Sequence, residues 1–200
     1  MPSKEKRRST QIRQLLIEST IKMFNQYGHA VTTDAICADA GVGKGTLFNY
    51  FQSKDKLLYA THLYCHDHGV QISEANIDWE ASEETVVKQL LRQAARWAFD
   101  FPQEVLYTGN YNRSTQTDLM NVDTRPSVKG IIDDERILNR LMAFVPASFP
   151  KDYLSVTIAN QNYQFCLYLA RHPECREDTL FLEQEVEWTW RSIDILREIR

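Results

Sequence analysis

Apolar side chains recur at intervals of three and four residues along almost the whole chain, and no segment alternates convincingly between apolar and polar residues. This spacing matches the 3.6-residue period of an α-helix and not the two-residue period of a β-strand. The 200 residues include only 7 glycines and 6 prolines, so few positions interrupt helices. The sequence therefore predicts an all-α fold, long enough for one or two small domains with buried cores.

Helix-ending and helix-starting residues divide the N-terminal part of this pattern. Gly28 follows a first helix as its C-terminal stop, and Thr32 or Thr33 can cap a short second helix. That helix stops at Gly41, a third short helix follows, and a fourth is predicted to start near Ser53. Farther along, one helix is predicted to end at Pro102, another to run from 126 to 145, and two more to cover about 150–171 and 177–199.

Two short helices joined at a glycine are typical of a helix-turn-helix unit. Gly41 lies where the chain turns sharply, and glycine tolerates the positive φ that such a turn requires. The second of these helices presents small and polar residues, which can reach base edges and phosphates in a DNA major groove. A plain helical hairpin with a solvated polar face has the same spacing, so spacing alone leaves both interpretations open.

The stretch "TTDAICADAGVGKGTLFNYFQSKDKLL", residues 32–58, resembles the DNA-binding signature of the tetracycline-repressor (TetR) family of bacterial transcriptional regulators. The resemblance extends over about Arg13 to Leu58 and is most specific at "AGVGKGTLFNYF" and "SKDKLL". It implies a helix-turn-helix DNA-binding domain of three helices at residues 1–55. It also implies a helical ligand-binding and dimerisation domain at residues 56–200.

The resemblance further implies roles for individual residues of this signature. The positions that face the bases are Lys44, Gly45, Thr46 and Asn49. The positions that contact phosphates are Thr33, Tyr50 and Lys54. Three residues depart from the family pattern. Phe48 stands where tyrosine is frequent, Gly43 replaces a small hydroxyl residue that would cap the helix, and Cys37 replaces a frequent alanine and is expected in the core.

Charge is unevenly distributed along the chain. The first 59 residues hold nine basic and five acidic side chains, whereas the remainder holds fourteen basic and twenty-two acidic ones. A basic N-terminal part suits contact with a polyanion such as double-stranded DNA. Within it, Arg7 and Arg8 are interpreted as a mobile arm along the DNA backbone or in the minor groove, and solvated terminal charges are the alternative. The N-terminus lacks the apolar core of a secretory signal and no apolar run could span a membrane, so a cytoplasmic location is predicted.

The last predicted helix is apolar on two faces. One stripe is Leu182, Val186, Ile193 and Leu196, and the other is Phe181, Trp188, Ile195 and Ile199. One face can pack within its own subunit, and the second then needs another partner. A two-fold pairing into a four-helix bundle gives a homodimer. Deep burial of this helix within a monomer is the alternative.

Aromatic residues of the acidic part are candidates for lining the small-molecule pocket that the resemblance implies. They are Trp97, Phe101, Tyr107, Tyr111, Phe144, Tyr163 and Tyr168. Each of them also suits an ordinary aromatic core, so the sequence leaves the pocket open.

The stretch "THLYCHDHG" contains a cluster that resembles a metal site. His62 and His66 lie four residues apart on one helix face, and Cys65 is adjacent, which gives ligand types that bind zinc or copper. A metal-sensing regulator is therefore the alternative function. Solvated or hydrogen-bonded histidines account for the same pattern, and no cofactor is predicted.

Catalytic signatures are missing from the sequence. It contains no nucleophile elbow, phosphate loop or dinucleotide fingerprint, and its four cysteines form no CxxC pair. The chain is therefore predicted not to be an enzyme. The predicted function is a ligand-responsive repressor that binds a palindromic operator as a homodimer and is released by a small-molecule effector.

Overall fold

The computed structural model describes residues 4–115, 135–150 and 153–198. Every regular element within these ranges is a helix and none is a strand, which confirms the all-α prediction. The α-helices are α1 (Lys4–Tyr27), α2 (Thr33–Ala40), α3 (Lys44–Phe51), α4 (Lys54–Glu74), α5 (Glu83–Asp100), α6 (Pro102–Thr115), α7 (Glu135–Met142), α8 (Tyr153–Arg171) and α9 (Thr179–Asp194).

The predicted helix boundaries of the N-terminal part are confirmed by their local geometry. Gly28 follows α1 with φ of 57°. The Thr32 hydroxyl accepts a hydrogen bond from the Ala35 amide at 3.1 Å and caps α2. Gly41 ends α2 with φ of 65° and ψ of 31°. The Ser53 hydroxyl accepts a bond from the amide three residues on, at 3.1 Å, and so begins α4.

The later helices are shorter than predicted. The start of the predicted helix over 126–145 lies outside the described residues, and its described part is α7. Helix α9 begins after the predicted start at residue 177. The Asp178 carboxylate caps it by accepting a hydrogen bond from the Phe181 amide at 3.0 Å. After α9 the chain continues as a short 3₁₀ turn over Ile195–Arg197, and Ile199 lies outside the described residues.

The chain divides into two compact units. Among the described residues, the first unit holds 4–66 and 106–115, and the second holds 67–105, 135–150 and 153–198. The helices α4 and α6 therefore each contribute residues to both units. The functional boundary predicted between residues 55 and 56 stays a prediction, because these units reflect packing alone.

Each unit has its own apolar core. In the first unit, α1 to α3 and those parts of α4 and α6 that belong to this unit bury an apolar cluster. It includes Leu16, Phe24, Ile36, Leu47 and Tyr107. In the second unit, α5, α7, α8 and α9 bury a cluster that includes Leu90, Ile137, Leu141, Leu154 and Ile193. Within the described ranges no helix is both long and apolar enough to cross a lipid bilayer.

Candidate nucleic-acid interface

The packing of α2 and α3 fixes which face of α3 reaches solvent. Leu47 and Phe51, four residues apart, are the buried side chains of α3 and join the core of the first unit. Ala40 is buried at the end of α2, and the left-handed Gly41 reverses the chain between the two helices. Because one face of α3 is held in the core, the opposite face is presented outward.

The outward face forms a continuous row of side chains, which we call the recognition stripe. Its exposed members are Lys44, Gly45, Phe48 and Asn49. Their spacing of one, three and one residues keeps them on a single side of the helix. Thr46 and Tyr50 lie beside the stripe and are half-buried.

The stripe brings together three of the four residues predicted to face the bases. Lys44, Gly45 and Asn49 lie on it, whereas Thr46 lies at its edge. The sequence prediction missed Phe48 as a member of this surface. Its spacing of four residues from Lys44 is the signal that places it on the same helix face.

Lys44 is held against α2 by an ion pair. Its ammonium nitrogen lies 2.9 Å from a carboxylate oxygen of Asp34, and the two side chains are 53% and 70% exposed. Exposed pairs of this kind contribute between zero and about 1 kcal/mol. The pair therefore holds the Lys44 side chain toward α2, and the ammonium can leave Asp34 for a base or phosphate at small cost.

The predicted phosphate-contact residues lie at the borders of α2, α3 and α4. Thr33 is half-buried in the first turn of α2, and the ring of Tyr50 packs against the core of the first unit. The Lys54 ammonium donates a hydrogen bond to the backbone carbonyl of His29 at 2.6 Å. This bond ties the start of α4 to the turn after α1, a contact that the sequence prediction missed.

Arg7 and Arg8 were expected to form a mobile arm, and this prediction is wrong. Both are exposed positions inside α1, which begins at Lys4. The Thr10 hydroxyl donates to the Lys6 carbonyl at 3.0 Å, as a side chain does in a formed helical turn. The charges of both arginines are therefore carried on a helix surface.

Two members of the predicted histidine and cysteine cluster of α4 are buried in the packed interior. The His62 ring is buried and stacks on the Tyr111 ring at 4.8 Å between centroids, and Cys65 is fully buried. No group of three or more potential metal ligands occurs in the parts of the chain that the structure describes. The metal-sensing alternative therefore has no support.

The aromatic residues predicted to line a ligand pocket occur at several separate places. In the first unit, Tyr107 and Tyr111 stack at 6.1 Å, and the Tyr107 hydroxyl donates to the Leu58 carbonyl at 2.7 Å. Burial raises the pKa of Tyr107 far above its ordinary value, so this hydroxyl remains a donor.

The remaining five aromatic candidates belong to the second unit. The Trp97 indole donates to the Glu104 carboxylate at 3.2 Å, and Phe101 packs edge-on against His68 at 4.5 Å. The Tyr163 hydroxyl donates to the Val105 carbonyl at 3.4 Å.

Phe144 and Tyr168 lie apart from these contacts. Phe144 packs edge-on against Trp190 at 6.3 Å, and Tyr168 is 45% exposed and stacks on His172 at 4.2 Å. The seven residues thus do not form one continuous lining within either unit, and the ligand pocket stays a prediction.

The residues of this interface match a known family model. The family model of bacterial regulatory proteins of the tetR family matches residues 16–61. These residues include all of α2 and α3 and the beginning of α4. A segment of 46 residues is 39% identical to the uncharacterized HTH-type transcriptional regulator YhgD of Bacillus subtilis (strain 168). This match covers 22% of the present chain and 24% of that relative.

Solved structures resemble the chain over nearly its whole length. A structure from Shewanella sp. PV-4, assigned to the tetR family of transcription regulators, has a TM-score of 0.68 and 21% identity, over 90% of this chain and 97% of that one. The TetR-like transcriptional regulator LfrR from Mycobacterium smegmatis, solved in complex with proflavine, has a TM-score of 0.54 and 18% identity. The likeness covers 92% of this chain and 94% of LfrR. At these identities the likeness shows a common fold.

Proposed function

We propose that this chain, whose residues 16–61 match the family model of tetR bacterial regulatory proteins and whose fold resembles solved TetR-family regulators, binds a palindromic DNA operator as a homodimer and represses transcription until a small-molecule effector releases it. The family and the helix-turn-helix make it a transcription regulator. The observation that carries the proposal is the recognition stripe, an exposed row of base-reading side-chain types on a helix whose other face is locked in the core.

The chemistry of the stripe suits a major groove. A lysine ammonium can donate to the O6 and N7 acceptors of guanine, and an asparagine amide can pair with the N6 and N7 edge of adenine. Lys44 and Asn49 supply these two groups on adjacent turns of α3. Gly45 between them has no side chain, so the helix backbone can approach a base edge closely.

Phosphate contacts are proposed at the two sides of the stripe. Lys54 carries its charge at the first residue of α4, and the Tyr50 ring is fixed by the core so that its hydroxyl is held in one direction. Thr33 lies in the first turn of α2, where backbone amides are favourable for anions. These contacts would position α3 and carry no base information themselves.

The surface of α9 supports the homodimer. Val186, Ile193 and Leu196 are at most 5% exposed, whereas Trp188 is 58% and Ile195 is 52% exposed. One apolar face is therefore packed within the protomer, and large apolar side chains remain at the surface, as the sequence pattern predicts. We propose that a second copy of the chain covers this face, which would pair two recognition stripes by a two-fold axis.

An effector is proposed to bind in the second unit. The LfrR structure holds the small molecule proflavine in a protein with the same fold. The helix α4 starts directly after the recognition stripe and continues into the second unit. An effector that binds one arrangement of α4 better than another would shift the population of DNA-binding states. We propose that the protein acts in the cytoplasm, where its operator DNA is located.

Selection from a random library of DNA duplexes tests the proposal. The purified protein is expected to enrich one inverted repeat, and its affinity for that repeat is expected to fall steeply as salt rises, because phosphate-bound counterions are released on binding. A Lys44→Ala, Asn49→Ala double variant should lose the enrichment and retain only weak, salt-sensitive binding. Failure of the wild-type protein to enrich any duplex would contradict the proposal.

A further inference from the structure

Phe48 is the one large apolar side chain on the recognition stripe. It is 39% exposed, whereas its neighbours Leu47 and Phe51 are buried and supply the core contacts of α3. Phe48 belongs to neither of the two apolar cores formed by the described residues. The folded protomer therefore leaves an aromatic ring at the surface, on the helix face that also carries Lys44 and Asn49.

The surroundings of this ring leave it accessible. Gly45, one turn before Phe48, has no side chain, and a Cβ added there would meet no atom within 4 Å. Lys44 lies four residues before the ring, and its ammonium is drawn toward Asp34 on α2. The helix surface one turn before the ring is therefore open at Gly45.

The major-groove edges of the four bases carry one methyl group. Thymine has it at C5, and it is the group on these edges that apolar side chains contact, while hydrogen-bond donors and acceptors meet polar side chains. A phenylalanine ring has no hydrogen-bonding group, so it gains from contact with a methyl group and gains nothing from an acceptor or a donor. A tyrosine at this position would instead add a hydroxyl that can reach a phosphate.

We infer that Phe48 is a specificity-determining residue, which reads the methyl group of a thymine beside the base contacted by Lys44. The inference rests on the proposed function, because it requires that α3 enters a major groove. It adds a requirement that the polar residues of the stripe do not impose. Each half of the operator must contain a thymine at this step, at the same place in both half-sites.

Replacing single thymines by deoxyuridine tests the inference, because this change removes the methyl group and leaves all hydrogen bonds in place. The wild-type protein and its selected duplex are used, with symmetric replacements introduced at one thymine position per half-site at a time. At one position the Kd is expected to rise about 3- to 10-fold, as for the loss of a buried methyl contact. At the other positions it is expected to stay unchanged.

Variants of Phe48 assign the effect to this residue. Phe48→Ala should bind the thymine duplex more weakly and should not distinguish thymine from deoxyuridine at the sensitive position. Phe48→Tyr keeps the ring and should keep this distinction. Thermal unfolding of both variants should match that of the wild type, since Phe48 is outside the core.

Three results would overturn the inference. Wild-type binding that no deoxyuridine replacement weakens would remove it while leaving the proposed function intact. A deoxyuridine effect that persists in Phe48→Ala would assign the methyl contact to another residue. If the wild-type protein binds no duplex in a salt-dependent way, the proposed function fails, and the inference fails with it.

Discussion

Gly45 and Gly69 lie inside helices and have opposite surroundings. A Cβ at Gly45 would meet nothing within 4 Å, whereas a Cβ at Gly69 would lie 3.0 Å from ring atoms of Trp97. The Trp97 ring is buried and its indole nitrogen donates a hydrogen bond to the Glu104 carboxylate, so the ring has little room to move. The fold therefore needs a glycine at position 69 and does not need one at position 45.

The first prediction concerns this difference. Gly45→Ala should raise the free energy of unfolding by about 0.5 to 1 kcal/mol, because alanine favours the helix. It should also weaken DNA binding, because the new methyl group occupies the gap through which a base edge approaches. Urea unfolding and fluorescence anisotropy with the selected duplex measure the two effects.

Gly69→Ala is the matched control, and it should lower the free energy of unfolding by about 1 to 3 kcal/mol through overpacking against Trp97. Unchanged DNA affinity in a stabilised Gly45→Ala protein would show that this glycine does not lie close to the DNA.

A second prediction separates positioning from base reading. Lys54→Met should weaken binding to all duplexes by a similar factor and lower the slope of log K against log salt by about one. Lys44→Met should change which duplex is preferred. Lys54→Arg keeps the charge and should keep the salt slope. The proposed roles of the two lysines would be refuted if Lys54→Met changed the preferred sequence and Lys44→Met did not.

At the scale of the helices, the caps of α2 and α3 differ. The Thr32 side chain caps α2, while Gly43 precedes α3 without any side-chain cap. The orientation of α2 matters for the interface because Asp34, in its first turn, holds the Lys44 ammonium at 2.9 Å. A loss of the α2 cap should therefore affect both stability and the recognition stripe.

The third prediction is that Thr32→Ala lowers the free energy of unfolding by about 1 kcal/mol, because the Ala35 amide loses its partner. Thr32→Ser retains the hydroxyl and should unfold like the wild type to within a few tenths of a kcal/mol. Urea unfolding of the two variants checks this. Equal stability of Thr32→Ala and Thr32→Ser would mean that the hydrogen bond does not stabilise α2.

Local signals allowed most helix boundaries to be predicted from the sequence. Thr32, Gly41 and Ser53 act within three or four residues of themselves, so their caps and turn follow from sequence order. The bond between Lys54 and the His29 carbonyl joins two segments 25 residues apart, and nothing local indicates it. The arginines of the N-terminus were predicted as an arm because charge alone does not reveal that α1 starts before them.

The recognition stripe was only partly predictable, because packing between helices decides which side chains of α3 face outward. Its polar members followed from the family resemblance. Phe48 was noted only as a departure from the tyrosine that is frequent at this position. Only the packing of Leu47 and Phe51 into the first unit decides that Phe48 faces outward. For the aromatic residues predicted to line a ligand pocket, the sequence gives the residue type but does not show which residues surround each side chain.

For the whole molecule, the exposed face of α9 supports a fourth prediction. Trp188→Glu places a charge among large apolar side chains of the proposed dimer interface and should convert a dimer into a monomer. Gln71→Glu, which adds the same charge at an exposed position of α4, should leave the dimer intact. Sedimentation equilibrium measures the mass of both. A wild-type protein that sediments as a monomer of 23.3 kDa at all concentrations would contradict the proposed dimer.

Methylation interference tests the central claim most directly, because dimethyl sulfate modifies guanine N7 in the major groove and leaves the phosphates unchanged. With the selected duplex, the account predicts interference at guanines in two symmetric half-sites, and loss of interference at one guanine per half-site when Lys44 is replaced by alanine. Tight binding to duplexes methylated at every guanine of both half-sites would contradict the claim that α3 reads the major groove.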